Sequence, residues 1–314
     1  MIHPAIRDVF EELDRLPALR DVVRKWSAGG EATLTGLTPT AKALLAVVLW
    51  KLTDRPLLVV AANSGEAEDV YQLVCAFFEL LAPPPGKARP LLLPALDVLS
   101  HQQISPHAEL VEKRAVALWR LATEAVPIVV TPVASALMRM EPPAFYRNLA
   151  VTIEKDEEIP FDYLTEHIRN VGYEQHEPVE MVGQFSVRGG ILDIFSPEHE
   201  RPVRIEFFGD LSLSLRHCDV ATQRSVLKLD RFAVLPLSEY AASSELLQQI
   251  REKLEHPEQA WAHGAPAGWE AWLPLVNARE HSLFDLGTRT ALLLDEMREV
   301  KAAAERLWTR LEDG

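Results

Sequence analysis

Eight residues, Gly36-Leu37-Thr38-Pro39-Thr40-Ala41-Lys42-Ala43, stand where a nucleotide-binding chain carries its phosphate cradle. The cradle pattern is G-x-x-x-x-G-K-[ST]. Its glycines let backbone N–H groups close on the phosphates, its lysine reaches the terminal phosphates, and its hydroxyl holds Mg²⁺. Gly36 and Lys42 are present, but the second glycine is Ala41 and the hydroxyl position is Ala43. Pro39 removes a further backbone donor from the loop. Near the other end, Leu292-Leu293-Leu294-Asp295-Glu296 has the form of the strand whose Asp would hold Mg²⁺ and whose Glu would activate water. An apolar strand running into an acidic helix start looks the same without any nucleotide, because carboxylates favour the positive end of a helix. With the cradle broken, Gly36, Lys42, Asp295 and Glu296 read as the remnant of a nucleotide site. No ATP hydrolysis and no cofactor are expected.

Other chemistry is sparse. Cys75 and Cys218 lack a CxxC spacing or a neighbouring His pair, so no zinc site is expected. Cys75 lies in an apolar stretch and reads as a buried thiol. His101, His107 and His217 form no metal spacing with a carboxylate, and no Ser-His-Asp arrangement or nucleophile elbow is present. Trp119 and Trp308 fall at apolar helix positions and are expected in the core. The formal net charge is −14 with a pI near 5.2, and there is no Lys/Arg-rich run. Nucleic-acid affinity comes largely from Lys and Arg displacing counterions, so little direct DNA binding is expected. Met1-Ile2-His3-Pro4 leads into a charged segment rather than a secretory signal, and no apolar run approaches the ~20 residues that span a bilayer. A reducing cytoplasm and no membrane partner fit these features.

The elements that must position these residues follow from periodicity. The chain of 314 residues allows two or three domains. Residues 5–27 predict one amphipathic helix through Val9, Phe10, Leu13 and Leu16, stopped by Gly29-Gly30. Strands are predicted at 32–35, 56–61, 91–93 and 128–130, alternating with helices at 40–51, 66–81, 106–123 and 133–140. The proline-rich Ala82-Pro83-Pro84-Pro85-Gly86 reads as a disordered break. Continuous apolar strands alternating with helices imply a parallel sheet covered on both faces. The pattern changes near residue 150. After a helix at 160–171 come short alternating strands at 184–187, 191–195, 203–208 and 211–215, punctuated by Gly189-Gly190 and Ser196-Pro197. Long elements return as a helix at 243–254, a strand at 290–294 and a helix at 296–311. The expected class is α/β: a degenerate P-loop, helicase-like parallel-sheet domain with an inserted small α+β domain bearing an antiparallel sheet. The boundaries are 1–149, 150–232 and 233–314.

One series of blocks is distinctive. Gly183-Gln184-Phe185-Ser186-Val187-Arg188-Gly189-Gly190-Ile191-Leu192-Asp193-Ile194-Phe195 is followed by Pro202-Val203-Arg204-Ile205-Glu206-Phe207-Phe208-Gly209-Asp210 and by Asp219-Val220-Ala221-Thr222-Gln223-Arg224-Ser225. The series resembles the second domain shared by the bacterial transcription-repair coupling factors and the excision-repair protein UvrB. Leu93-Pro94-Ala95-Leu96-Asp97, Ser105-Pro106-His107, Val129-Val130-Thr131-Pro132-Val133 and Gly172-Tyr173 agree with it. The coupling factors are the better match. UvrB keeps an intact phosphate loop and an aromatic-rich β-hairpin that clamps DNA, whereas Leu99 to Glu109 contains no aromatic residue.

The resemblance implies a UvrB-like head: 1–149 as domain 1a, 150–232 as the UvrA-binding domain 2, and 233–314 as domain 1b, which completes the α/β layer. It implies an N-terminal fragment that recruits UvrA in transcription-coupled nucleotide excision repair, has no ATPase activity of its own, and masks its UvrA surface against a C-terminal motor. RNA polymerase and DNA would be contacted through domains absent here. By motif, the family's UvrA-contacting arginines and aromatic fall on Arg188, Arg204 and Phe208. Strand alternation agrees: Val203, Ile205 and Phe207 form an apolar stripe, and Arg204, Glu206 and Phe208 face the other way. An exposed Phe beside Arg is the composition of an interface hot spot, and the guanidinium fork suits carboxylates. Arg188 could instead pair with a nearby acid, and Phe208 could cap the small core. Asp193 and Glu206 are possible supporting residues without an assigned role. The competing readings are a UvrB-type ATP-dependent DNA-remodelling enzyme and a purely structural or autoinhibitory head.

Overall fold

A computed structural model of the chain describes residues 12–13, 16–81, 89–98, 104–254, 268–285 and 290–313. Most of the expected opening helix before Leu16, the proline-rich stretch 82–86, and 99–103 with His101 lie outside the described residues. In chain order the elements are α1 (Pro17–Ser27), α2 (Pro39–Thr53), β1 (Leu57–Ala61), α3 (Ser64–Leu81), β2 (Leu91–Leu92), α4 (Ala108–Thr123), β3 (Ile128–Pro132), α5 (Val133–Ala136), α6 (Pro143–Arg147), β4 (Val151–Glu154), α7 (Phe161–Asn170), β5 (Glu174–Gln175), β6 (Gln184–Arg188), β7 (Ile191–Ile194), β8 (Val203–Phe208), β9 (Leu211–Cys218), β10 (Ser225–Leu229), β11 (Arg231–Val234), α8 (Ser244–Lys253), β12 (Ala291–Leu294) and α9 (Met297–Glu312). They divide into two compact units. One comprises 1–95, 123–140 and 281–314; the other comprises 96–122 and 141–280.

The first unit is built on a parallel sheet of order β12-β1-β3-β2. Leu57–Ala61 and Ile128–Pro132 are buried at every position, which is why these strands are continuous aliphatic runs rather than alternating ones. Helices α2 and α3 close the layer through Val47, Leu49, Val70, Val74 and Phe78, with the Trp50 and Phe78 rings 4.9 Å apart. Strand β12 comes from residues that follow the second unit in sequence, yet it pairs with β1 from Leu57↔Ala291 to Val60↔Leu294.

The second unit holds a six-stranded sheet of order β10-β9-β8-β7-β6-β5, antiparallel except for β5 with β6, and a separate two-stranded sheet of β11 with β4. One face of the larger sheet carries Phe185, Leu192, Ile194, Val203, Ile205, Phe207 and Leu215, all buried. Helix α7 lies on that face, burying Leu164 and Ile168 and setting Phe161 5.0 Å from the Phe207 ring. Arg114 of α4 and Glu239 form a buried ion pair, Nε to Oε1 at 2.6 Å.

Several expectations are corrected. Residues 32–35 form no strand: Ala32 is half-buried against the core, the rest of the segment is exposed, and it pairs with no other strand. The opening helix is not continuous, because Leu16 is extended (ψ 125°) ahead of Pro17, as the residue before a proline favours. The helix at 133–140 ends after one turn, since Met140 pairs through its backbone with His281. Strand β9 runs on to Cys218, and β4, β10 and β11 are strands the pattern did not announce. Trp308 is 64% exposed rather than in the core, its Nε1 donating to Glu312 at 2.6 Å, and Cys75 is only half-buried.

The β6–β7 turn is tight. Gly189 takes φ +60°, and a Cβ on Gly190 would sit 2.5 Å from the Phe207 carbonyl oxygen. Gly190→Ala is expected to destabilise the fold by about 1–3 kcal/mol through overpacking, and Gly189→Ala by roughly 1 kcal/mol through backbone strain. Urea unfolding of the two variants checks the order.

Candidate functional site

Gly36, Lys42, Asp295 and Glu296, read from sequence as a nucleotide-site remnant, lie within the first unit. Gly36 keeps a left-handed backbone, φ +78°. Helix α2 then starts with Thr38 as its cap, whose Oγ1 accepts from the Ala41 N–H at 3.3 Å. One of the donors a phosphate would need is therefore already engaged. Ala43, in the hydroxyl position, is buried among core aliphatics. Lys42 Nζ donates to Asp295 Oδ1 at 2.7 Å and to Glu296 Oε1 at 2.5 Å, joining α2 to the end of β12. Burial alone would lower the Lys42 pKa, but the hydrogen bonds and charges of Asp295 and Glu296 outweigh it and raise the ammonium above its ordinary value. Lys42 in turn holds the Glu296 carboxyl below the usual range. These residues do not fit a Mg²⁺–nucleotide: the hydroxyl is missing, the loop has no preceding strand, and the cation faces the two carboxylates.

The second group lies on the face of the six-stranded sheet opposite α7. In β8, Val203, Ile205 and Phe207 are buried, Arg204 and Glu206 are half-buried, and Phe208 is 77% exposed. The alternation read from sequence is the one observed, and Phe208 does not cap the core. The hairpin register sets Arg188 across from Ile191 and Asp193 across from Arg204. Arg204 grips Asp193 with its fork, Nε to Oδ1 at 2.6 Å and Nη2 to Oδ2 at 2.8 Å. Arg188 Nη2 donates to the same Oδ2 at 2.6 Å, while its Nη1 reaches Glu177 at 3.3 Å. Glu206 accepts from the Ser214 hydroxyl at 2.8 Å. Hydrogen bonding to Asp193 pushes the Arg204 guanidinium above its ordinary range, so its charge is permanent. Arg216 on β9 and Lys228 on β10 continue the row beyond Arg204.

The expected site residues thus gather into two groups, Gly36, Lys42, Asp295 and Glu296 in one unit and Arg188, Arg204 and Phe208 in the other. Asp193, left without a role by sequence, is the centre of the second group. The Gly189-Gly190 turn was the signal for it, because a two-residue turn fixes which positions face each other. Among the described residues, no three His, Cys, Asp or Glu side chains are placed to hold a metal ion, and no helix is long and apolar enough to cross a membrane.

Residues 151–240 match the family model of the UvrB interaction domain. The chain is 31% identical to a transcription-repair-coupling factor of Myxococcus xanthus over 93% of its own length and 26% of that protein's. It is 27% identical to the Escherichia coli transcription-repair-coupling factor over 79% of the chain and 22% of the relative, and 30% identical to that of Bacillus subtilis over 72% and 18%. The chain therefore spans about a quarter or less of the curated relatives it matches.

The Lys42 cluster has a defined pH window. Glu296 has a depressed folded pKa, so its contribution holds above the ordinary carboxylate range and is lost as pH falls through the folded value. Lys42 has a raised one, so its contribution is lost only as pH rises beyond the ordinary lysine range. Lys42→Ala, which strands the part-buried Asp295, is expected to cost about 1–2 kcal/mol at neutral pH. Urea unfolding should show that difference shrinking below roughly pH 4.

Proposed function

We propose that this chain, homologous to the N-terminal region of the transcription-repair coupling factors, is an interaction module that binds UvrA in transcription-coupled nucleotide excision repair. The observation that carries the reading is the solvent face of the six-stranded sheet: Phe208 is exposed on the same face of β8 as Arg204, with Glu206 between them, and Arg204 and Arg188 share Asp193, all inside the region that matches the UvrB interaction domain. A bare phenyl on a face that also carries arginines is what an interface uses as an anchor, and strand alternation leaves it no core to enter. The guanidinium groups suit a carboxylate-bearing partner surface.

The chain acts by binding and hydrolyses no ATP. The absent hydroxyl at Ala43, the engaged Ala41 N–H and the neutralised Lys42 support this. Contacts with RNA polymerase and DNA belong to parts of the relatives that lie outside the matched stretch. In a full-length protein, the same arginine face is the surface that an intramolecular contact with the motor would mask.

Calorimetry with UvrA tests the proposal. Arg188→Ala, Arg204→Ala and Phe208→Ala should each lose about 2 kcal/mol or more of binding energy with folding intact; no binding by the unmodified chain overturns it. Mg-ATP should leave the melting temperature unchanged. A ligand at 100 times its dissociation constant would add about 2.7 kcal/mol, so a clear upward shift would favour the ATP-dependent UvrB-type reading instead.

A further inference from the structure

The two arginines of the candidate face share one carboxylate. Asp193 is only 4% exposed, and its Oδ1 and Oδ2 together accept three charge-assisted hydrogen bonds, two from Arg204 and one from Arg188, at 2.6 to 2.8 Å. Both guanidinium groups are oriented by Asp193, and Arg188 Nη1 also reaches the exposed Glu177 at 3.3 Å, so both heads are held in a fixed direction. The Arg204 Nη1 is further tied to the Gln223 carbonyl at 3.4 Å.

Long side chains that are ordered only on binding weaken an interface, and ordering them beforehand strengthens it. We propose that Asp193 is a positioning residue: it fixes the heads of Arg188 and Arg204 so that carboxylates of the partner meet them ready-placed. The proposal rests on the UvrA-binding reading for the identity of the partner.

Charge alone makes the opposite forecast. Along the cross-strand row Asp193 is followed by Arg204, Arg216 and Lys228, with Arg188 beside it. Removing the one acid of this set makes the face more positive, so Coulomb attraction alone would tighten binding to an acidic partner. If positioning dominates, the same change weakens it. In Asp193→Asn the side chain keeps its shape but loses its charge and one acceptor oxygen, so at least one of the three hydrogen bonds is lost and the rest are weakened.

The experiment is UvrA calorimetry on Asp193→Asn, with thermal unfolding as the folding control, alongside NMR of the arginine Nε–H groups. Binding at least tenfold weaker is expected, with hindered, exchange-protected Arg204 Nε–H signals in the unmodified protein becoming averaged in the variant. Equal or tighter binding overturns the proposal. Should Asp193→Asn fail to fold, Asp193→Ser serves, since it removes the shared carboxylate and leaves both arginines in place; a tenfold loss supports positioning and retained affinity overturns it. If the unmodified chain does not bind UvrA, the partner reading falls, and the NMR signals still decide whether Asp193 fixes the heads: protected signals support it and averaged signals overturn it.

Discussion

At Gly190 the β6–β7 turn runs so close to β8 that no side chain fits between them. The Gly190 carbonyl accepts from the Phe207 N–H at 2.7 Å, and a Cβ on Gly190 would collide with the Phe207 oxygen. This contact pins the register of three strands. Because side chains alternate, a slip of one residue would send Arg204 and Phe208 into the core and Ile205 and Phe207 into water. The same register sets Asp193 opposite Arg204 and brings Arg188 within reach. The arginine face therefore depends on a glycine that never touches it.

In the first unit the charges gather into one cluster of Lys42 with Asp295 and Glu296. In a working phosphate site, a lysine faces phosphates and carboxylates face a metal ion. Here Lys42 turns to Asp295 and Glu296, and its charge is more than matched by the two carboxylates. Asp295 is largely buried, and a lone carboxylate there would carry a desolvation cost that Lys42 offsets. The cluster also ties α2 to β12, a strand that reaches the sheet only after the chain has built the second unit. The cluster thus has a structural role of its own.

Legibility in the sequence followed burial. Where burial is one-sided or complete the pattern was plain: the aliphatic runs at 57–61 and 128–132, and the period of two through Val203–Phe208. It failed where burial is slight. Strand β10 is exposed along nearly its whole length, so Ser225–Leu229 has no apolar periodicity to betray it. Residues 32–35 show the converse, a β-like composition with no neighbour to pair with. Trp308 lies on a helix whose only buried residue is Val300, so an apolar residue type says little about its place. Arg188 and Arg204 were marked by resemblance, but their common partner needed the register, a relation between strands that no single strand contains.

The acidic composition sharpens what the arginine face can do. With a formal net charge of −14, the chain as a whole repels nucleic acid and other acidic surfaces. A local row of Arg204, Arg216 and Lys228 with Arg188 beside it stands out against that background. On the proposed reading, an acidic partner would be attracted there and discouraged elsewhere, which is specificity by contrast rather than by affinity alone. Phe208 adds what charge cannot: apolar area that yields binding energy only when water is excluded from it. On the proposed reading, charge would select and orient the partner and burial of the phenyl ring would hold it, so the face would need both residue types within one strand.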